Sequence, residues 1–316
     1  MTRLAVLIPC HNETLTIQRV VQDFKAALPE AEIHVCDNAS TDDTAEQARR
    51  AGATVWPEPH KGKGRAVRRL FHAVDADWYL LVDGDATYEA GMAVQALALA
   101  ASSRLDLVNI AREETATEAY RPGHRFGNRV LTGAVRFLFG DEIRDMLSGY
   151  KLLSKAFVRS FVSQSTGFDI ETEITVHALS LGLPVGEIPG PYYPRPEGSA
   201  SKLQTWPDGI RILSRILNLV RQEKPLPLFL GLGAILILTS LGLGLPLFWH
   251  FWETGTVPRL PTAVLATGLM VVGLLSSATG LILDGLTQTR REVKYLNSAL
   301  GRPHTSPPDL PRLPGP

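Results

Sequence analysis

Over the first 200 residues, short apolar runs alternate with polar stretches of helical period. LAVLIP, EIHVCD, ATVWP, WYLLVD and LDLVNIA are short, apolar and largely β-branched or aromatic, which predicts five strands. Between them the pattern predicts helices over Thr14–Leu28, Thr41–Ala51, about Gly64–Val74 and Ala90–Ala101, with Ser40 or Thr41 as the cap of the second. Strand and helix in strict alternation imply a mainly parallel sheet covered by helices. In such sheets ligands bind beyond the carboxyl ends of the strands. Three of those ends carry polar clusters, at Pro9–Glu13, Asp37–Asp42 and Asp83–Asp85, and their convergence predicts one site.

Beyond residue 225 the pattern changes. Pro225–Trp252 and Leu260–Leu283 contain no Lys, Arg, Asp or Glu, and each exceeds the length of about 20 apolar residues that a spanning helix needs. Phe251, Trp249 and Trp252 sit at one end of the first run, where aromatic side chains favour the membrane interface. Arg211, Arg215, Arg221 and Lys224 precede the pair, and Arg290, Arg291 and Lys294 follow it. By the positive-inside rule both termini then lie in the cytoplasm, on an inner membrane crossed twice. The N-terminal apolar run is too short for a signal peptide. Residues 205–224 space Ile210, Leu213, Ile216, Leu217 and Val220 as an amphipathic helix suited to the headgroup plane. The expected organisation is therefore 1–204 as an α/β domain, 205–224 as a juxtamembrane helix, 225–285 as a membrane hairpin, and 286–316 as a basic segment with a proline-rich tail.

Composition narrows the function. The chain has 316 residues, 45% apolar and 20% charged, which excludes a disordered chain. Lys+Arg and Asp+Glu number 32 each, and this zero balance argues against nucleic acid as a partner. Two cysteines, Cys10 and Cys36, exclude a disulfide scaffold and a four-cysteine zinc site.

The most chemically pointed feature is Asp83-Gly84-Asp85 behind the strand WYLLV. Residues i and i+2 of an extended segment point the same way, so the two carboxylates face one point and repel each other. A divalent cation bridging them to phosphate resolves the conflict, and Mg²⁺ favours one or two carboxylates with phosphate oxygens and water. A solvated turn explains the same residues locally. An EF-hand fails here, because Tyr88 and Val94 replace its glycine and glutamate.

Five segments in order, IPCHNE, VCDNASTDDT, HKGKGRAV, LVDGDATY and DMLSGYKLLS, resemble the motifs of family 2 glycosyltransferases with a GT-A fold. Within that family the chain is similar to polyprenyl- and dolichyl-phosphate sugar synthases, including the bacterial type with two C-terminal membrane helices. The resemblance spans about residues 4–290. It implies a Rossmann-like α/β catalytic domain, followed by an amphipathic helix and two transmembrane helices. It also implies that Pro9, Glu13 and Asp37 bind the nucleoside and that Lys63 lies beside the nucleotide. Asp83 and Asp85 would hold Mg²⁺ or Mn²⁺, with Asp85 the main ligand. Thr87 stands where some members have a glutamine ligand. Arg112 and Arg125 match arginines that neutralise the donor diphosphate, and Asp145 an acidic residue near the reacting groups. Arg195, Ser201 and Lys202 match an acceptor-side phosphate-binding segment.

The reaction so implied is inverting transfer from a UDP- or GDP-linked sugar to a membrane polyprenyl phosphate. A phosphate monoester has a second pKa of about 6 and needs no general base, so Asp145 would orient groups there. The alternatives are transfer to a saccharide or lipid hydroxyl, with Asp145 or Glu171 as base, or a scaffold that binds nucleotide sugar without turnover. A nucleotidyltransferase would open with a glycine-rich loop, which IPCHNE is not. The roles of Asp169, Glu171 and Glu173 stay open; His11, His60, His124 and His177 lack paired-ligand spacing and read as structural. The resemblance further implies a homo-oligomer packed through the membrane helices.

Overall fold

A computed structural model of the chain describes residues 2–114, 143–163, 165, 167, 169–196, 214, 218 and 221–301. It divides into two compact units, Met1–Ile216 with Lys294–Pro316, and Leu217–Val293. Most of the predicted juxtamembrane helix and the proline-rich tail lie outside the described residues.

The first unit is built on a seven-stranded sheet. Its strands are β1 (Leu4–Cys10), β2 (Glu32–Asn38), β3 (Thr54–Glu58), β4 (Trp78–Leu81), β5 (Leu107–Glu114), β6 (Lys151–Ser154) and β7 (Val185–Tyr192), in the order β3-β2-β1-β4-β6-β5-β7. All pairings are parallel except those of β6, which runs antiparallel to β4 and β5. The five predicted strands are all present. β6 and β7 were not predicted: KLLS is too short for a period to show, and VGEIPGPY carries two glycines and two prolines.

Every residue of β1 is buried, as expected of a central strand covered on both faces. Leu4, Val6, Ile8 and Cys10 pack with α1 (Ile17–Ala27) through Ile17, Val20, Val21 and Phe24. The same core takes in Ala93, Ala96 and Leu97 of a later helix of 12 residues, Met92–Ser103, which packs against β5, β6 and β7. Burying a side chain such as Phe24 or Leu97 contributes roughly 1.5–3 kcal/mol. Ala5 and Leu7 point the other way, towards α3 (Lys63–Ala73), whose Ala66, Val67 and Leu70 are buried.

Helix α2 (Thr44–Arg50) begins three residues later than predicted, with Asp43 and not Ser40 or Thr41 at its cap position. Ser40 and Thr41 are used across the loop instead. The Asn12 N–H donates to Ser40 Oγ at 3.0 Å, and the Thr41 N–H donates to Asn12 Oδ1 at 2.8 Å. The helix Met92–Ser103 is α4; α5 (Lys155–Ser160) and α6 (Ile170–Ser180) complete this unit's named helices.

The second unit contains α7 (Pro225–Thr254) and most of α8 (Leu260–Gly301), both long and apolar enough to cross a membrane. Small hydroxyl residues join them: Ser240 Oγ donates to the Ala266 carbonyl at 2.6 Å, and Ser276 Oγ to the Phe229 carbonyl at 3.0 Å. Large side chains such as Trp249 and Trp252 are exposed, as in a helix pair that has lipid around it. α8 continues beyond the uncharged run that closes at Leu283, through Arg290, Arg291 and Lys294, because no proline or glycine pair interrupts it.

Candidate active site

The register places the carboxyl ends of β1, β2, β4, β5 and β7 at one edge, together with the amino end of the reversed strand β6. The loops at that edge hold unusual backbone. Asn12, Ala39 and Ala86 take φ of 52°, 54° and 58°, each shortly after β1, β2 or β4. A left-handed non-glycine residue costs roughly 1–2 kcal/mol and persists only where its surroundings hold it. Here the holders are visible. Asn12 is bonded to the Ser40–Thr41 turn, the Ser40 N–H donates to Asp37 Oδ1 at 3.2 Å, and Thr87 is bonded to Asp85.

Asp83 and Asp85 meet two cations. Lys63 Nζ contacts Asp83 Oδ1, and Arg195 Nη2 lies 2.5 Å from Asp85 Oδ2. The buried Thr87 hydroxyl donates to Asp85 Oδ1 at 2.6 Å, so Thr87 orients the carboxylate it follows. Burial, and then repulsion from Asp83, raise the Asp85 carboxyl above its ordinary value, against Arg195 and the Thr87 hydrogen bonds. The place therefore demands positive charge. Among the described residues no group of three or more His, Cys, Asp or Glu converges. Among the described residues a cation at this pair would thus take two carboxylate ligands, and it would complete its shell with phosphate oxygens and water. That donor set suits Mg²⁺ or Mn²⁺.

Lys63 has a second carboxylate, Glu171 Oε1, which comes from the first turn of α6. Burial disfavours the ammonium, but Asp83 and Glu171 outweigh it and hold the Lys63 pKa above its ordinary value. Gly64 makes this bridge reachable. A Cβ there would lie 2.6 Å from the Ser165 carbonyl oxygen, and the Gly64 N–H donates to the Gly167 carbonyl at 3.1 Å. Gly149 similarly leaves room for the Asp83 carboxylate. Of the other acidic residues before and on α6, Glu173 binds the preceding loop through Ser163 Oγ (2.7 Å) and the Ser165 N–H (3.0 Å). Asp169 accepts from the Gly167 N–H at 3.2 Å.

Arg112 and Asp145 form a fork. Nε and Nη2 each lie 2.7 Å from a carboxylate oxygen, and the Arg112 N–H donates at 3.1 Å. Arg112 and Asp145, 33 residues apart in the chain, are thus paired with each other. Burial alone would raise the Asp145 carboxyl, but the guanidinium holds it below its ordinary value. The Arg112 guanidinium also lies 5.6 Å over the Tyr192 ring.

Behind the fork is a network that was not visible in sequence. Glu187 accepts from Asn109 Nδ2 (2.8 Å) and from the N–H groups of Arg144 (3.0 Å) and Asp145 (3.2 Å). Asn109 Oδ1 accepts from Lys151 Nζ at 2.5 Å, and Lys151 is completely buried. The sequence signal was a lysine opening an apolar strand and an asparagine inside one. Burial lowers the Lys151 pKa to about 8 despite Asp145, Glu171 and Glu187. A base depressed in the folded state binds its proton less tightly than in the unfolded chain. Stability should therefore rise with pH from about 8 towards the unfolded lysine value near 10.4, by up to about 3 kcal/mol. We expect the melting temperature of wild type to climb relative to Lys151→Met across that window. Parallel curves would show that Lys151 is not held as described.

Of the nucleoside candidates, Pro9 lies on β1 opposite Cys36 of β2, Asp37 is the last residue but one of β2, and Glu13 is buried with its N–H donating to Thr44 Oγ1 at 2.8 Å. His11 Nδ1 is 2.9 Å from the Asn38 carbonyl, and His177 is buried against Phe157 and Phe161, both consistent with structural roles. Arg125, Ser201, Lys202 and His124 lie outside the described residues.

The chain has relatives of known family. The glycosyl transferase family 2 profile matches residues 5–161. Glycosyltransferase AglJ of Haloferax volcanii is 31% identical over 298 residues, covering 92% of this chain and 95% of that protein. The chain belongs to glycosyl transferase family 2. A dolichyl-phosphate hexose transferase of the same organism is 26% identical over 222 residues, 70% of this glycosyltransferase and 95% of its relative. Among solved structures, glucosyl-3-phosphoglycerate synthase from Mycobacterium tuberculosis, in complex with Mn²⁺, UDP-glucose and phosphoglyceric acid, superposes with a TM-score of 0.57. It is 19% identical and covers 69% of this chain and 79% of its own, a likeness of fold. The glycosyltransferase fold is thus the α/β GT-A domain with two apolar C-terminal helices that the motifs implied.

Proposed function

We propose that this glycosyltransferase moves a sugar, with inversion, from a nucleoside diphosphate sugar to a membrane polyprenyl phosphate. One observation carries the reading: Arg195, from the acceptor-side segment, touches Asp85 of the donor-side carboxylate pair. Residues expected to hold the two reacting phosphates are thus in contact within one unit. The dolichyl-phosphate hexose transferase relative and the two helices long enough to span a membrane support a lipid acceptor. The structural neighbour with Mn²⁺ and UDP-glucose supports a metal and a UDP-type donor.

In this reading Asp83 and Asp85 would hold a divalent cation, which when bound would supply positive charge opposite the leaving nucleoside diphosphate. Pro9, Glu13 and Asp37 seat the nucleoside, with Lys63 beside them. Arg112, fixed in its fork by Asp145, presents a rigid guanidinium to the diphosphate, and Arg125 joins it. Asp145 acts as an orienter, since a carboxylate engaged on both oxygens by an arginine is a poor proton acceptor. Arg195, Ser201 and Lys202 hold the acceptor phosphate, whose own oxygen attacks the anomeric carbon. Residues 1–204 form the catalytic domain, and 205–224, 225–285 and 286–316 form the juxtamembrane helix, the hairpin and the cytoplasmic tail of an inner-membrane protein. The helices provide a surface for homo-oligomers.

The test is a donor screen with the full chain in lipid, undecaprenyl phosphate, and Mg²⁺ or Mn²⁺. Transfer from one donor to the lipid, abolished by chelation, is the expected result. Transfer to a saccharide or lipid hydroxyl instead, with none to the phosphate, overturns the acceptor assignment.

A further inference from the structure

Glu171 is 4% exposed, and its two carboxylate oxygens are treated very differently. Oε1 is met by Lys63, which also holds Asp83. Oε2 is buried without a hydrogen-bond partner among the described residues. A buried acceptor left unmatched costs about 1–3 kcal/mol, more when charged, so such an atom calls for an explanation. Gly64 lets α3 approach the loop before α6 closely enough for Lys63 to bridge both carboxylates.

The chemistry of the missing partner can be narrowed. A carboxylate oxygen accepts hydrogen bonds, so the partner must carry an O–H or N–H. The donor diphosphate offers only anionic acceptors, and the need for a cation is already met by Lys63. What a sugar nucleotide does bring to the Asp83 side of the site is hydroxyl groups, or the amide N–H of an acetamido substituent. We propose that Glu171 is a specificity-determining residue that reads a hydroxyl or amide hydrogen of the transferred sugar through Oε2, while Lys63 fixes its orientation. This rests on the sugar-nucleotide reading above and names the residue that would select the sugar. A site built to accept from one substrate hydroxyl rejects the analogue lacking it, because its own buried atom is then stranded.

Binding to the full chain in detergent or nanodiscs, by calorimetry with Mg²⁺ present, tests this apart from catalysis. The probes are UDP and GDP, UDP-glucose, UDP-N-acetylglucosamine and GDP-mannose, with deoxy-sugar analogues of whichever sugar nucleotide binds. Glu171→Gln should bind the bare nucleoside diphosphate as wild type does, which also reports that it is folded. It should bind the sugar nucleotide about 10- to 100-fold more weakly, the range for a hydrogen bond to a charged group. One deoxy analogue should cost wild type a similar factor and cost the variant little more. Equal weakening for nucleoside diphosphate and sugar nucleotide, or no weakening of either, overturns the proposal alone. So does a wild-type deoxy series with no sensitive position, which needs no variant to fold. Failure of wild type to bind any sugar nucleotide overturns the donor reading and this proposal with it.

Discussion

Asp85→Asn should lower sugar transfer by about a thousandfold or more without lowering the melting temperature. The activity loss follows from weakening the hold on the cation that Asp83 and Asp85 are proposed to bind, since that positive charge is what would offset the charge building on the leaving diphosphate. The stability expectation follows from the structure. Asp85 is buried beside Asp83, and its carboxyl is raised above its ordinary value by burial and by that neighbour. Ionised, it opposes folding. Asparagine keeps an acceptor for the Thr87 hydroxyl and removes the repulsion. Arg195 is 27% exposed in its side chain, so water can replace its lost partner. Transfer rates and thermal melts on the same preparations check both halves. A variant keeping a tenth of the activity would remove Asp85 from the charge-stabilising role, and a large fall in melting temperature would make its loss structural.

Arg112→Ala should be the most damaging single change for the fold of the site. It strips both fork hydrogen bonds and the backbone's companion charge from Asp145, whose side chain is 13% exposed. Breaking a buried pair from one side costs about 3–5 kcal/mol, a fall in melting temperature on the order of 10 °C for a unit of this size. Arg112→Lys should recover part of the charge but not the fork. Asp145→Asn should cost less than Arg112→Ala, because the guanidinium keeps its place over the Tyr192 ring and the asparagine still offers it an acceptor. The pH dependence gives a separate readout. Asp145 is held below its ordinary value in the folded state, so its stabilisation is fully present above the unfolded carboxylate value near 4 and is lost as pH falls through the lower folded value. The wild-type advantage over Asp145→Asn should be flat above about pH 4 and shrink in stronger acid. An advantage that instead fades between pH 5 and 7 would contradict the depressed Asp145.

Much of this architecture was legible in the chain. β1 to β5 lie where the apolar runs predicted, since a central strand buried on both faces must be apolar throughout, and LAVLIPC is. The two long helices were legible for the same reason, as twenty or more uncharged residues leave few other folds. Asp83 and Asp85 were legible because a strand end followed by two carboxylates at i and i+2 is a local pattern.

The rest is non-local. β6 carries no periodic signal in four residues; its antiparallel insertion between β4 and β5 comes from partners about 40 to 75 residues away. Arg112 meets Asp145, 33 residues on, and nothing in the sequence marks the two as a pair. Lys63 and Glu171 are 108 positions apart and meet because α3 and α6 dock through the glycine at 64. Sequence by itself determined which segments are buried, which turn at the sheet edge, and that two acidic side chains face the same point, because these depend on period and composition. Which cation meets which carboxylate was decided only by tertiary structure, because a buried charge takes the partner that packing brings within reach, whatever its distance along the chain.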